Sequence, residues 1–87
     1  MPKPPSRAAI RRAFGKTVRT LRLRIGLPQE NLALDSGINR GYMGGLERGL
    51  HSPTLETVYK LLGPLRVTLT EFCQEFERIL QSQRKNS

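Results

Sequence analysis

Few residues in this sequence have the type and spacing to do catalytic chemistry. The only histidine, His51, has no second histidine or nearby cysteine at ligand spacing, so it reads as a loop histidine rather than a metal ligand. The only cysteine, Cys73, falls on the apolar face of a helical pattern and reads as a core or interface residue; a redox role would need exposure and a lowered pKa. Glu71, Glu75 and Glu77 read as a solvated or dimer-rim face, not as paired acid–base groups, and no G-x-x-x-x-G-K-[ST] loop occurs. The expectation is a chain that is not an enzyme and needs no metal or cofactor. What is uneven is the charge: residues 1–24 hold eight Lys or Arg and no acid, whereas residues 67–82 hold three Glu and one Arg. With a net charge of +8, that segregation predicts one end that faces a polyanion and another with a separate task.

The element that would present such a surface lies at 29–46, QENLALDSGINRGYMGGL. It reads as a short helix, a glycine turn and a second short helix. Leu32 and Ala33 face inward on the first, Ile38 plugs the corner, and Met43 and Leu46 face inward on the second. Gly37 stands where the chain must turn sharply at positive φ, which glycine does without steric cost. Ala33 is small where the helices must cross closely. This is the pattern of a helix-turn-helix, whose second helix is free to enter a DNA major groove.

The remaining segments frame that motif. Residues 1–6, MPKPPS, contain three prolines and read as a flexible basic arm, with Ser6 available as an N-cap. Ile10, Phe14, Val18, Leu21 and Ile25 recur at helical spacing, Gly26 ends that helix, and Pro28 opens the next without a side-chain cap. Asn39 caps the third helix and Thr54 the fourth, which Gly63 and Pro64 are expected to stop. Thr68 and Glu71 form a T-x-x-E capping box ahead of Phe72. The predicted fold is all-α, with five helices at about 7–25, 29–36, 39–48, 54–62 and 69–81 in one domain over 7–82, then a polar tail at 83–87.

Composition agrees with a globular chain: 87 residues allow one domain, and 37% apolar with 25% charged residues is neither disordered nor membrane-like. The N-terminus has basic residues but no apolar segment of a secretory signal. One cysteine precludes an intramolecular disulfide and fits a reducing compartment, so the expected location is cytoplasmic, at the nucleoid.

The span from about 14 to 72 resembles the Cro/repressor-type helix-turn-helix domain, also called the xenobiotic-response-element family, in LRLRIGLPQENLA, SGINRGYMGGLERG and SPTLETVYKLLGPLRVTLTEF. Within it, R-x-Y-x-x-x-x-E-R-G and the short length look most like the controller proteins of restriction-modification systems. The resemblance implies a compact, five-helix, lambda-repressor-like fold whose third helix reads the major groove, and a homodimer on a two-fold operator in double-stranded DNA. Gln29 matches a glutamine that grips a phosphate at a helix N-terminus. Arg40 and Tyr42 match groove-face positions, and arginine can bond guanine O6 and N7 together. For Arg40 the alternative is a phosphate contact; for Tyr42 the choices are a thymine methyl, a phosphate or partly buried packing. Asn39 stands beside them at the start of the helix. Arg48 suits either a phosphate at the groove flank or the helix C-terminal dipole. Arg22 and Glu47 match a partly buried ion pair with an architectural role.

The function expected is therefore that of a sequence-specific transcriptional regulator, with Phe72, Phe76, Ile79 and Leu80 of the fifth helix as its dimer interface; the competing assignment puts those four in the monomer core. Gly41, Gly44 and Gly45 depart from the family pattern. Each costs about 1 kcal/mol against alanine in a helix interior and removes a candidate reader. Either the helix approaches DNA very closely and relies on Arg40, Asn39 and shape readout, or its discrimination is weak. A protein-interaction adaptor that retains the fold is the alternative from another class. Nothing in the sequence specifies a small-molecule or protein effector.

Overall fold

The computed structural model describes residues 3–85, which form five helices and no strand: α1 Arg7–Arg24, α2 Gln29–Ser36, α3 Arg40–Glu47, α4 Leu55–Leu65 and α5 Leu69–Lys85. Residues 1, 2, 86 and 87, at the ends of the expected arm and tail, lie outside the described residues.

Local chemistry starts and stops these helices. The Ser6 hydroxyl accepts from the Ala9 N–H at 3.1 Å, Asn39 Oδ1 from Tyr42 N–H at 3.1 Å and Thr54 Oγ1 from Thr57 N–H at 3.2 Å. The capping box closes both ways, Thr68 N–H to Glu71 Oε1 at 2.9 Å and Glu71 N–H to Thr68 Oγ1 at 3.1 Å. Pro28 opens α2 with no side-chain cap. At the other ends, Gly26, Gly37 and Gly49 take φ of 66°, 70° and 78°. Each is followed by a backbone bond reaching back five residues, such as Ile38 N–H to the Ala33 carbonyl at 2.9 Å, so the last carbonyls of α1, α2 and α3 are satisfied.

The fourth helix corrects the sequence reading. Gly63 and Pro64 do not stop it; α4 runs on to Leu65, and the left-handed turn falls on Arg66 at φ 60°. Proline in the last turn deletes one backbone donor, and the carbonyl it would have met belongs to Lys60, which is exposed to water. The extra turn buries Leu65, 1% exposed, and is closed by Val67 N–H on the Leu62 carbonyl at 3.1 Å. The fifth helix is likewise longer than its apolar pattern, because Gln83 Nε2 donates to the Ala9 carbonyl at 3.3 Å and Arg84 to the Lys3 carbonyl at 3.0 Å. Residues 83–85 of the expected polar tail are thus helical, docked on the start of α1.

The core gathers Phe14, Val18 and Leu21 of α1, Leu32 and Ala33 of α2, Met43 and Leu46 of α3, Val58, Leu61, Leu62 and Leu65 of α4 and Phe72 of α5. The expected stripe of α1 is buried only in its middle, with Ile10 and Ile25 left exposed at its ends. Helix α1 packs against both α5 and α3, and α2 packs against α3 and α4. The approach of α1 to α3 is unusually close at Gly15, where an added Cβ would stand 2.5 Å from the Leu46 carbonyl oxygen and 2.6 Å from that of Glu47. No helix among the described residues is long and apolar enough to cross a membrane.

The core also corrects the assignment of helix five. Phe72 is buried against Phe14, with ring centroids 5.4 Å apart, and Ile79 is buried too, so neither is available to a second copy. Phe76 and Leu80 are only partly buried, on different sides: Phe76 faces the α1/α4 side with Ile10, and Leu80 faces the start of α1. The apolar stripe of an amphipathic helix identifies what must be covered, not whose side chains cover it.

Candidate nucleic-acid interface

The angle between α2 and α3 is fixed from beneath. Ala33 is 3% exposed at the crossing, Met43 and Leu46 are fully buried, and Ile38 packs against the core from the corner. A polar junction locks the far end. Arg22 meets Glu47 twice, Nε to Oε2 at 2.7 Å and Nη2 to Oε1 at 2.9 Å, and its Nη1 donates to the Leu27 carbonyl at 2.9 Å. Gln29 Nε2 adds a bond to Glu47 Oε1 at 3.1 Å. Glu47, hydrogen-bonded to Arg22, holds the guanidinium above its ordinary pKa, against the opposing effect of burial. One carboxylate thereby ties α1, the α1–α2 turn and the start of α2 to the end of α3.

Gln29 therefore stands at the N-terminus of α2 with one amide N–H committed to Glu47 and its Oε1 beside Gly44. Asn39 is exposed, its Oδ1 occupied by the cap. Arg40 projects from the first turn of α3 with 73% of its side chain exposed, and Nη1 lies 3.4 Å from Oε2 of Glu30, itself 62% exposed. Tyr42 is half-buried on the opposite flank, its ring stacked on the imidazole of His51, with centroids 4.5 Å apart and planes 12° from parallel. Arg48, just past the helix, lays Nη1 3.3 Å from the place a Gly44 Cβ would occupy.

At 100° per residue, the side of α3 opposite Met43 and Leu46 carries positions 41, 44, 45 and 48. Three of these are glycine, so α3 supplies almost no side chain of its own to that face, although Gly44 and Gly45 are buried under side chains from elsewhere. Gly41 is open: only the Asn39 side chain lies within 4 Å of a Cβ placed there. Gly44 is covered by Gln29 and Arg48. Gly45 is covered by His51, whose Nε2 lies 2.4 Å from the place of the missing Cβ. Arg40 stands on one flank of this face, Tyr42 with His51 on the other and Arg48 at the end, and only Gly41 leaves backbone exposed between them. The sequence reading brought Gln29, Asn39, Arg40, Tyr42 and Arg48 to this surface; it missed Glu30, which neutralises Arg40, and His51, which joins Tyr42. The signal for His51 was a glycine in mid-helix with no turn to explain it.

Helix-turn-helix is the class that this fold and surface define. The model of that family matches residues 18–72, and the chain belongs to it, in the Cro/repressor type. Among known proteins, this chain is 37% identical over 62 residues to the uncharacterized HTH-type transcriptional regulator y4dJ of Sinorhizobium fredii, covering 71% of this chain and 80% of that one. It is 36% identical over 59 residues to the HTH-type transcriptional regulator SlrR of Bacillus subtilis, covering 67% of this chain but spanning only 39% of that regulator's length. In structure it is similar to the restriction-modification controller protein C.AhdI from Aeromonas hydrophila, with a TM-score of 0.67 and 41% identity over 70% of this chain and 92% of that one. It also overlays on the clp gene regulator ClgR from Corynebacterium glutamicum, with a TM-score of 0.84 and 25% identity over 98% of this chain and 86% of that one.

Proposed function

We propose that this chain is a sequence-specific DNA-binding transcriptional regulator, cytoplasmic and without enzymatic activity, that acts as a homodimer on a two-fold operator in the manner of a restriction-modification controller. The observation that carries the reading is the outward face of α3. It is braced from behind by a buried core and the Glu47 junction, has no side chain of its own at Gly41, Gly44 and Gly45, and is flanked by Arg40, Tyr42 and Arg48 on a chain of net charge +8. A helix whose outward face is built from the side chains of Gln29, Arg48 and His51 can enter a major groove, where Arg40 reaches guanine from the flank while Gln29 and Arg48 meet phosphates.

The second copy is best accommodated between α1, α4 and α5. Ile10, Leu55, Cys73 and Phe76 line an apolar groove of about 290 Å³ there, and exposed Tyr59 extends it along α4. For a dimer across this face to read a two-fold operator, its two α3 helices must stand about one helical turn of DNA, roughly 34 Å, apart.

The test is binding of the full chain to duplexes selected from a random pool, against random duplexes, at two salt concentrations. The reading expects a selected site with two-fold symmetry and a preference that survives added salt. A steep salt dependence with no preference among sequences would reduce it to backbone attraction, and no binding at moderate salt would remove it. Sedimentation of the wild type and Phe76→Glu tests the dimer: the variant should be monomeric, and should lose affinity for the two-fold site while still binding a single half-site weakly.

A further inference from the structure

The imidazole of His51 occupies the space that a side chain at position 45 of α3 would fill. It reaches that space from the loop after the helix, stacks on Tyr42 three residues earlier, and leaves no room for a Cβ on Gly45. Two observations thus meet on one group: a close approach that only glycine permits, and a near-parallel ring stack with the aromatic side chain of the outward face. Offset or stacked aromatic pairs restrict both rings, and a half-buried tyrosine with one face covered has few rotamers left.

We propose that His51 is a positioning residue for DNA readout: it supplies the side chain that Gly45 lacks and holds the Tyr42 ring in the orientation in which Tyr42 meets the duplex. This rests on the DNA-binding reading and deepens it, assigning the selectivity of a glycine-floored α3 partly to a side chain carried on the following loop. It also gives one of the three glycines of α3 a purpose. Gly45 admits His51, while at Gly44 the Gln29 and Arg48 side chains lie at near-ordinary contact from the place of a Cβ, so the helix is clothed there by its neighbours.

The chemistry required of position 51 is a flat ring that stacks, not a positive charge. His51→Phe is therefore expected to keep most of the preference for a selected duplex, whereas His51→Ala should lose about tenfold of it. Because His51 positions rather than binds, the slope of affinity against salt should be the same in all three proteins; a phosphate contact would lower it by about one. Gly45→Ala should reproduce the loss seen in His51→Ala, since its Cβ expels the ring, although alanine is the better helix former. In the DNA-free protein, the ring-current shift of the Tyr42 aromatic protons should disappear in His51→Ala and Gly45→Ala and persist in His51→Phe. Finally, Tyr42→Ala and the double variant Tyr42→Ala/His51→Ala should show equal preference, because His51 acts through Tyr42.

The outcomes separate cleanly. A wild type that prefers no duplex overturns the parent reading and this one with it. A wild type that discriminates, with His51→Ala discriminating equally well, overturns the positioning role alone. Additive losses in Tyr42→Ala and His51→Ala, or a salt slope reduced by about one in His51→Ala and His51→Phe, would make His51 an independent contact and also overturn it.

Discussion

Arg22 and Glu47 pair at 2.7 Å with 10% and 4% of their side chains exposed, whereas Arg40 and Glu30 stand 3.4 Å apart with 73% and 62% exposed. Both pairs tie α3 to a neighbouring helix by the same two functional groups, α1 in the first case and α2 in the second, yet their surroundings give them different work. The Arg22–Glu47 charges have left water and are recompensed by two mutual hydrogen bonds, the Leu27 carbonyl and the Gln29 amide. Once desolvated, each charge depends on the other, and the pair behaves as architecture. Arg40 and Glu30 have kept their water, so their attraction is worth about 0–1 kcal/mol and is open to exchange. The lesson is that burial, not residue type, separates the scaffold of the site from its reading head.

The comparison is most exposed to failure at Glu47. Glu47→Ala leaves Arg22 buried and uncompensated, and should lower the unfolding free energy by about 3–5 kcal/mol, seen as a fall in denaturant midpoint at unchanged slope. A double variant that replaces both partners by apolar residues should recover much of the loss. If Glu47→Ala costs under about 1 kcal/mol, the two pairs do not differ in kind. Next in size is Gly15→Ala, at the same junction. Helix propensity alone would favour alanine by about 1 kcal/mol, but the new Cβ meets the backbone carbonyls of Leu46 and Glu47, which cannot rotate away. A net loss of about 1–3 kcal/mol is expected, and a neutral or stabilising result would show that α1 can move off α3 without harm.

The third prediction concerns the reading head. Arg40→Ala should leave unfolding within about 0.5 kcal/mol of wild type while removing about 1–3 kcal/mol of discrimination between selected and random duplexes. Equal loss on both duplexes would place Arg40 on a phosphate instead. A smaller effect is expected at Glu75, which belongs to an intermediate case. Its hydrogen bond from Arg78, opposed by burial and assisted by Arg24, holds the Glu75 carboxylate below its ordinary value of 4.5. A folded pKa below the unfolded one means that the contribution is fully present well above pH 4.5 and is lost as pH falls below it. Glu75→Gln should flatten that part of the acid limb of a stability–pH curve, and an unchanged limb would show the three-residue cluster to be idle.

Much of this arrangement was legible in the residues, and what was not has a common cause. Gly37, Asn39 and the Thr68–Glu71 box act through the backbone within a few positions, so local chemistry alone places them. The extension of α4 past Pro64 was hidden because it is Leu65, burying itself in the distant core, that holds the last turn. Gly15 carries no local signal, and Gly45 marks a departure from the pattern without saying what fills its place, since the atoms that forbid a side chain there lie on another helix or a following loop. Phe72 and Ile79 displayed an apolar face whose cover only the packed chain reveals. Long-range proximity is the part that periodicity does not encode.

The finest test of the comparison is at Glu30, because there the buried and exposed pairs predict opposite signs. Removing the acid of the buried pair should unfold the protein; removing the acid of the exposed pair should improve its binding. Glu30 sits in the first turn of α2, where its charge favours the helix dipole, so Glu30→Gln should cost a few tenths of a kcal/mol in stability. On DNA, however, Arg40 must leave Glu30 to reach a base or phosphate, and a carboxylate beside the duplex repels it. Freed of both effects, Glu30→Gln should bind a selected duplex about two- to fivefold more tightly at low salt, with the gain shrinking as salt rises. Weaker binding would mean that Glu30 orients Arg40 for readout, in the way Glu47 orients Arg22, and that exposure alone does not make a pair exchangeable.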